Sequence, residues 1–438
     1  MERSQCHITN CQLTNKKDFS KQYFKTYCIR LKRCTDILVK EIYKKWGNDV
    51  CLKNLSEIVP DEKCVIIGTL YKKMENKPSV IKEWTDAYQL GILPVAQHKL
   101  IGKDDKIILE DFQQQIQLQF DEVTIKTASL VTGITCAVIG YEPESGIEKF
   151  IVEDIVFPTL EFPLLKNVNF KKSGARFIAI ISGLRLNDET SMNLIRLRLF
   201  SDWISGMLPV DDFKIDPSAI GRLIVAGNLI DDGDEELSLT QETPLVRKSE
   251  VGTVNSLIRL DELLCGFCRT IQVDVMPGKL DPTSLMLPQN PFNRVMFPQS
   301  SKWSSFNARP NPWQCSLDDG RFLVGTSGDS IDDIDRYSDL DEVHERMAAS
   351  IRWGHLAPTA PDSQECYPNE GPNDPLALLH RPHIYFAGNQ DQFSWKRLEY
   401  EDSSTDSTLL VAVPRFSETG QVVFIDLLNS NCQSLTFK

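Results

Sequence analysis

With 438 residues, 41% hydrophobic and 25% charged, the chain has the make-up of a soluble globular protein and the length of two or more domains. A formal net charge of −13 argues against a protein whose whole surface grips nucleic acid. The opening MERSQCHITN has no apolar signal segment and no run approaches the about 20 apolar residues that span a bilayer, so an intracellular protein with its 12 cysteines as reduced thiols is expected, with no membrane contact.

Charge is uneven along the chain. The first stretch is basic, with Lys16, Lys17, Lys21, Lys25, Arg30, Lys32, Arg33, Lys40, Lys44 and Lys45, while acid collects at 231–236 and 329–345. Both read as solvated faces and loops. Over 18–46, Phe19, Tyr23, Tyr27, Leu31, Cys34, Leu38, Ile42 and Trp46 recur at helical spacing. This predicts an amphipathic helix ended by Gly47-Asn48, its apolar stripe packed on the next domain. From Lys53 the pattern changes to short β-rich runs at 63–71, 78–84, 105–111, 115–120, 133–141 and 148–157, with a hairpin turn at 142–146. Strands so closely spaced suit a small barrel, and the oligonucleotide/oligosaccharide-binding (OB) fold is the best match. Such barrels stack bases on aromatics set among basic residues. Only Trp84, Tyr71 and Lys82 qualify here, which favours a barrel used for protein contacts.

A linker at 158–163 leads to a continuous apolar run, 176–183, as in a strand buried on both faces of an α/β sheet. A helix over 191–206, a second buried strand over 222–228, a helix over 251–268 and a third strand over 270–276 follow. The lone Cys265-x-x-Cys268 pair falls on the second of these helices and reads as buried core, because a zinc site needs further ligands. Strand–helix–strand alternation predicts a right-handed layered sheet with its ligands beyond the strand carboxyl ends, where Ser182, Asn228 and Lys279 fall. Pro277, Pro282, Pro288, Pro291 and Pro298 then make a long, stiff, irregular loop. Strands return at 321–328, 383–389, 408–414 and 420–427, interrupted by one helix over 339–353. The fold class is α+β, divided into an N-terminal helical segment (1–50), an OB barrel (51–160) and a layered α/β sandwich (161–438).

The order of strand-end motifs resembles the calcineurin-like phosphoesterase fold, a sandwich of two sheets flanked by helices. Active members hold two divalent metals with Asp, Asn and His ligands and activate water against a phosphate ester. Where the family has Asp-x-His, this chain has Ser182-Gly183-Leu184, and where it has Gly-Asp, with the bridging carboxylate, Gly227-Asn228. Gly278-Lys279-Leu280-Asp281 stands in place of Gly-Asn-His-Asp, His355 matches the later lone histidine, and the closing Gly-His-x-His reads Gly388-Asn389-Gln390-Asp391. The resemblance therefore implies a degenerate site with no catalytic residue, no metal and no cofactor. Leu280 cannot coordinate, and neutral Asn228 cannot balance two dications. The Lys279 ammonium would repel a dication at about 4 Å by about 8 kcal/mol at an effective dielectric of about 20. His355 is then a hydrogen-bonded structural histidine. Asp231, Asp281 and Asp391 are the carboxylates from which a different site could be rebuilt.

An OB barrel followed by such a domain resembles the B-subunit family of eukaryotic replicative DNA polymerases, and most specifically its polymerase δ branch. The segments that carry this are CVIIGTL (64–70), VDVMPGKLDPT (273–283), LPQ (287–289), GTSG (325–328) with RYS (336–338), APTAPD (357–362) with CYP (366–368), HIYFAGN (383–389) and VPRFS (413–417). The resemblance implies a noncatalytic regulatory subunit in the nucleus, serving DNA replication, repair and translesion synthesis as a scaffold. Its implied partners are the cysteine-rich C-terminal metal module of the polymerase δ catalytic subunit, the third accessory subunit that binds the sliding clamp, and the polymerase ζ catalytic subunit. DNA contact is expected to be weak or indirect. Two other classes remain open: a metal-dependent phosphoesterase or nuclease with a rebuilt site, and a single-stranded DNA binder using the barrel, whose affinity would fall with salt.

Overall fold

The computed structural model describes residues 6–10, 19–77, 98–120, 126–144, 149–163, 176–187, 191–208, 215–231, 250–369, 371–400 and 403–438. Its elements begin with strand β1, Ile8–Asn10, and helix α1, Phe24–Trp46. By density of contacts the chain forms two units. One joins Met1–Gln12, Phe162–Asp329 and His380–Lys438, and the other joins Leu13–Glu161 and Ser330–Leu379.

The second unit holds the barrel: β2 (Leu52–Lys53), β3 (Cys64–Lys73), β4 (Lys106–Glu110), β5 (Gln115–Phe120), β6 (Thr135–Tyr141) and β7 (Lys149–Val156). Their order is β2-β3-β4-β5-β7-β6, and β6 returns to pair with β3. Strands β3 to β7 therefore close on themselves, which removes their free edges. Closure draws backbones together at Gly140, where the β6–β7 register shifts and a Cβ would sit 1.9 Å from the Ile151 carbonyl. Only glycine fits there. The strand expected at 78–84, with Trp84 and Lys82, lies outside the described residues, and Tyr71 is half-buried on β3.

Helix α1 lays Leu38 and Ile42 on Val65, Ala137, Ile139 and Val156 of the barrel, as its periodicity predicts. Its first half departs from the expected stripe. Phe19 precedes the helix and is 67% exposed, whereas Arg30, expected among the solvated basic residues, is 1% exposed. The acidic stretch after residue 328 corrects a second expectation, because it contains two helices, Asp329–Tyr337 and Val343–Arg352, rather than one. Ile331 and Ile334 bury one face of the first, and the Ser338 hydroxyl donates to the Ile334 carbonyl near its end. Four aspartates within Asp329–Tyr337 hide that two-residue apolar signal.

The first unit is a sandwich built from β8 (Phe177–Ile181), α2 (Ser191–Ile204), β9 (Ile220–Ala226), α3 (Glu250–Cys268), β10 (Gln272–Met276), β11 (Phe306–Ala308), β12 (Trp313–Leu317), β13 (Phe322–Thr326), β14 (Ile384–Gln390), β15 (Ser394–Tyr400), β16 (Ser403–Pro414), β17 (Gln421–Asp426) and β18 (Asn431–Thr436). Two six-stranded sheets result, ordered β11-β10-β9-β8-β17-β18 and β1-β12-β13-β14-β16-β15. Strands β8 to β11 run parallel, as βαβ alternation requires. Alternate residues of β8 explain its continuous apolar sequence. Phe177, Ala179 and Ile181 pack with Phe200, Trp203, Leu260 and Leu264 of α2 and α3. Ile178 and Ile180 face the other way, in a core with Trp313, Leu323, Phe386 and Val411 of the second sheet. Cys265 and Cys268 are buried on α3, and burial pushes the Cys268 thiol up to about 12. Among the described residues no helix is long and apolar enough to cross a membrane.

Candidate functional site

The site is the set of turns that follow the buried parallel strands of the first unit. Beyond β8 come Ser182, Gly183 and Leu184; beyond β9, Gly227 and Asn228; beyond β10, Pro277 to Asp281; and Asn389 lies one residue before the end of β14. Gly183, Gly227, Asn228 and Asn389 all take positive φ, so the exits from β8 and β9 and the irregularity late in β14 use left-handed backbone, whereas residues 277–281 after β10 do not. Short amide side chains tolerate that conformation better than most residues. Backbone bonds join the turns: Gly183 N–H donates to Gly227 O at 3.0 Å, and Arg185 N–H to Asn228 O at 3.1 Å.

Most polar side-chain atoms here are spent on the protein itself, although Asn389 Oδ1 is buried without a hydrogen-bond partner. Ser182 Oγ accepts Asn389 N–H at 2.9 Å and reaches the Val413 and Pro414 carbonyls at 3.2 and 3.1 Å. The Asn389 amide donates to Ser327 O at 2.7 Å and Ala226 O at 3.3 Å. Asn228 Oδ1 accepts Leu280 N–H at 3.1 Å. Asp281 is buried, and its Oδ1 accepts Leu229 and Ile230 N–H at 2.7 and 3.2 Å while Oδ2 accepts Gly278 N–H at 2.8 Å. Burial pushes this carboxyl up to about 7 against the opposing pull of those N–H groups. Leu184 is buried, Lys279 is exposed and Leu280 half-buried. Asp391 stays 85% exposed, paired with Arg415 at 2.5 Å.

Sequence reasoning missed the other half of this network. Asn311 Nδ2 donates to Ser327 Oγ and to Gln289 Oε1, both at 2.6 Å, and Gln289 Nε2 donates to Gly278 O at 3.2 Å. Ser327 Oγ in turn donates to Asp329 at 2.6 Å. These are isolated polar residues within proline-rich stretches, and no spacing marks them as partners.

As a ligand set for two divalent metals the residues do not fit. Asp281 is the one buried carboxylate among the expected positions, and both its oxygens already accept backbone N–H groups. Among the described residues no three His, Cys, Asp or Glu side chains group as metal ligands would. The packing is also too tight to admit an inserted group. A Cβ at Gly278 would lie 2.3 Å from Asn228 Oδ1 and 2.5 Å from its backbone nitrogen. Gly278→Ala is accordingly expected to cost about 1–3 kcal/mol, read as a lower urea midpoint. An unchanged midpoint would contradict the close approach.

His355 belongs to the other unit. Its Nε2 lies 2.9 Å from Asp374 Oδ2, and its Nδ1 accepts Ala357 N–H at 3.2 Å. That pair of bonds fixes the neutral tautomer with the proton on Nε2. Arg30 Nε donates to the same Asp374 oxygen at 3.0 Å, while its two terminal nitrogens donate to Pro358 O and Ala360 O. Burial and, after it, the Arg30 charge hold His355 down at about 4, while His355 and Arg30 draw Asp374 below the ordinary carboxylate range against its own burial. For His355 the folded state binds fewer protons than the unfolded state. Its stabilisation is therefore present above pH of about 6.5 and lost as pH falls toward about 4. We expect His355→Gln to flatten the fall in unfolding free energy between those pH values. An unaltered pH slope would sink this assignment.

Comparison with known proteins gives two family matches along the chain. Residues 178–395 match the DNA polymerase alpha/epsilon B-subunit family. Residues 22–155 match the DNA polymerase delta subunit OB-fold domain. The DNA polymerase delta subunit 2 of Drosophila melanogaster is 35% identical over 424 residues, 96% of this chain and 94% of that protein. The DNA polymerase delta small subunit of Oryza sativa subsp. japonica is 32% identical over 100% of this chain and 99% of that protein. Its namesake from Saccharomyces cerevisiae is 30% identical over 94% of this chain and 88% of that protein.

Proposed function

This chain belongs to the DNA polymerase delta small-subunit family, and from that premise we propose that it works as a noncatalytic scaffold within the polymerase. As a small subunit it is part of a complex with the catalytic subunit. We take the cysteine-rich C-terminal metal module of that subunit to be its principal partner. The third, clamp-binding accessory subunit is the other partner it bridges to, and the polymerase ζ catalytic subunit shares the same seat. The chain acts in the nucleus, in replication and in repair. A helical segment (1–50), an OB barrel (51–160) and a phosphoesterase-like part (161–438) make up this scaffold.

The observation that carries the reading is the fate of the strand-end polar groups. Ser182, Asn228 and Asn389 are the residues that the resemblance sets in place of metal ligands, and their side chains, with that of Asp281, are engaged by neighbouring backbone groups. A buried turn cluster knitted in this way gives the loops above it a rigid base. Leu184 and Leu280 add no donor, and Lys279 adds the wrong charge.

Co-purification of the chain with the isolated metal module of a polymerase delta catalytic subunit tests the proposal, with metal content and phosphodiester hydrolysis measured on the same sample. A stable complex with neither bound Mn or Zn nor turnover is expected. Stoichiometric metal with turnover, and no complex, would overturn the scaffold reading in favour of an enzyme.

A further inference from the structure

Helix α1 buries Thr26, Arg30, Leu31, Leu38 and Ile42. At about 100° per residue, Lys25, Lys32 and Lys40 fall within about 80° of one another on the opposite side. All three are exposed. They extend over about 22 Å of the helix axis at about 1.5 Å per residue. The ion pairs of this helix are made by Arg30 with Asp374, Lys44 with Glu41 and Lys45 with Asp154. Among the described residues Lys25, Lys32 and Lys40 form none. One acid, Asp36, shares the face and is exposed, and Tyr43, 40% exposed, lies beside it.

On a chain of net charge −13, solubility does not require a cationic face. Three unpaired ammonium groups along one side of a rigid helix fit a repeating anionic partner. Lysines are point charges that suit phosphates and read no base, and the exposed face offers little that could distinguish sequence. We propose that the Lys25–Lys32–Lys40 face of α1 contacts the phosphate backbone of duplex DNA handled by the polymerase. The proposal takes from family membership only that DNA is at hand, and it does not rest on the scaffold reading. Each lysine that neutralises a phosphate releases a condensed counterion. Three such contacts weaken binding about 40-fold between about 50 and about 200 mM salt.

The test is fluorescence anisotropy of a labelled duplex of about 30 base pairs with the full chain across that salt range. It is repeated with the triple variant Lys25→Gln, Lys32→Gln, Lys40→Gln. The expected result is a salt slope in the wild type that is reduced by about 3 in the variant. The variant's urea midpoint and its co-purification with the catalytic subunit's metal module are expected to be unchanged. Absence of salt-dependent binding by the wild type would overturn the proposal, as would an unchanged slope in the variant. Tighter binding of a single strand of equal length would overturn the duplex assignment. Loss of the catalytic-subunit complex in the variant with duplex binding intact would make the face a protein contact instead.

Discussion

Asp374→Ala is expected to destabilise the barrel unit by about 3–5 kcal/mol. Asp374 is 1% exposed and receives Arg30 Nε and His355 Nε2 on one oxygen and Leu376 N–H on the other, at 3.0, 2.9 and 3.0 Å. Its removal leaves the Arg30 cation buried with only the Pro358 and Ala360 carbonyls to balance it. A buried pair is costly to break from one side because the remaining charge cannot be rehydrated in place. The double variant Arg30→Met, Asp374→Leu removes both charges and is expected to lose less than Asp374→Ala alone. Equilibrium urea unfolding of the full chain reads both. A double variant as unstable as the sum of the two single ones would show that Arg30 and Asp374 do not depend on each other.

Asp281→Ala is expected to cost about 4 kcal/mol in the first unit, from three buried N–H groups each left unsatisfied at about 1–3 kcal/mol. Because Asp281 ties the turn after β9 to the turn after β10, the loss is local before it is global. Hydrogen exchange at Leu229, Ile230 and Gly278 is expected to accelerate first. Asp281→Asn retains the size but turns an amide NH2 toward one of the same N–H groups, so it recovers only part of the loss. Unchanged exchange at those three amides in Asp281→Ala would refute the role assigned to the carboxylate.

What the chain discloses locally and what it conceals divide along physical lines. Strand β8 is legible because burial on both faces writes an unbroken apolar run, β9 and β10 because theirs is broken only by Arg222 and Asp274, which pair with each other, and the turns behind them because Gly227, Gly278 and the flanking amides punctuate the sequence. The barrel is legible from strand spacing and short polar turns. Strand β12 is obscured by Pro310 and Pro312, and β15, SWKRLEY, by the charges of an exposed sheet edge. Helical periodicity sets Arg30 toward the apolar stripe and Lys32 away from it, but the partner that makes the burial of Arg30 tolerable is a carboxylate 344 residues away, which no local pattern shows. The positions of Ser182, Asn228 and Asp281 follow from their place after strands, and that of Asn389 from its place near the end of one. Their bonding to Ser327, Asn311 and Gln289 depends on how separate loops meet, which periodicity does not encode.

The distance in sequence between Arg30 and Asp374 also sets an order of events at the ribosome. Helix α1 emerges early, but the carboxylate that neutralises its buried arginine is made 344 residues later. At about 5–20 residues per second, that interval is about 17–70 s. For that time Arg30 has no Asp374, and for all but its last part the Pro358 and Ala360 carbonyls, 328 and 330 residues downstream, are missing as well. The nascent barrel therefore waits with its helix incompletely seated, and translation beyond residue 374 is the step that lets the unit close.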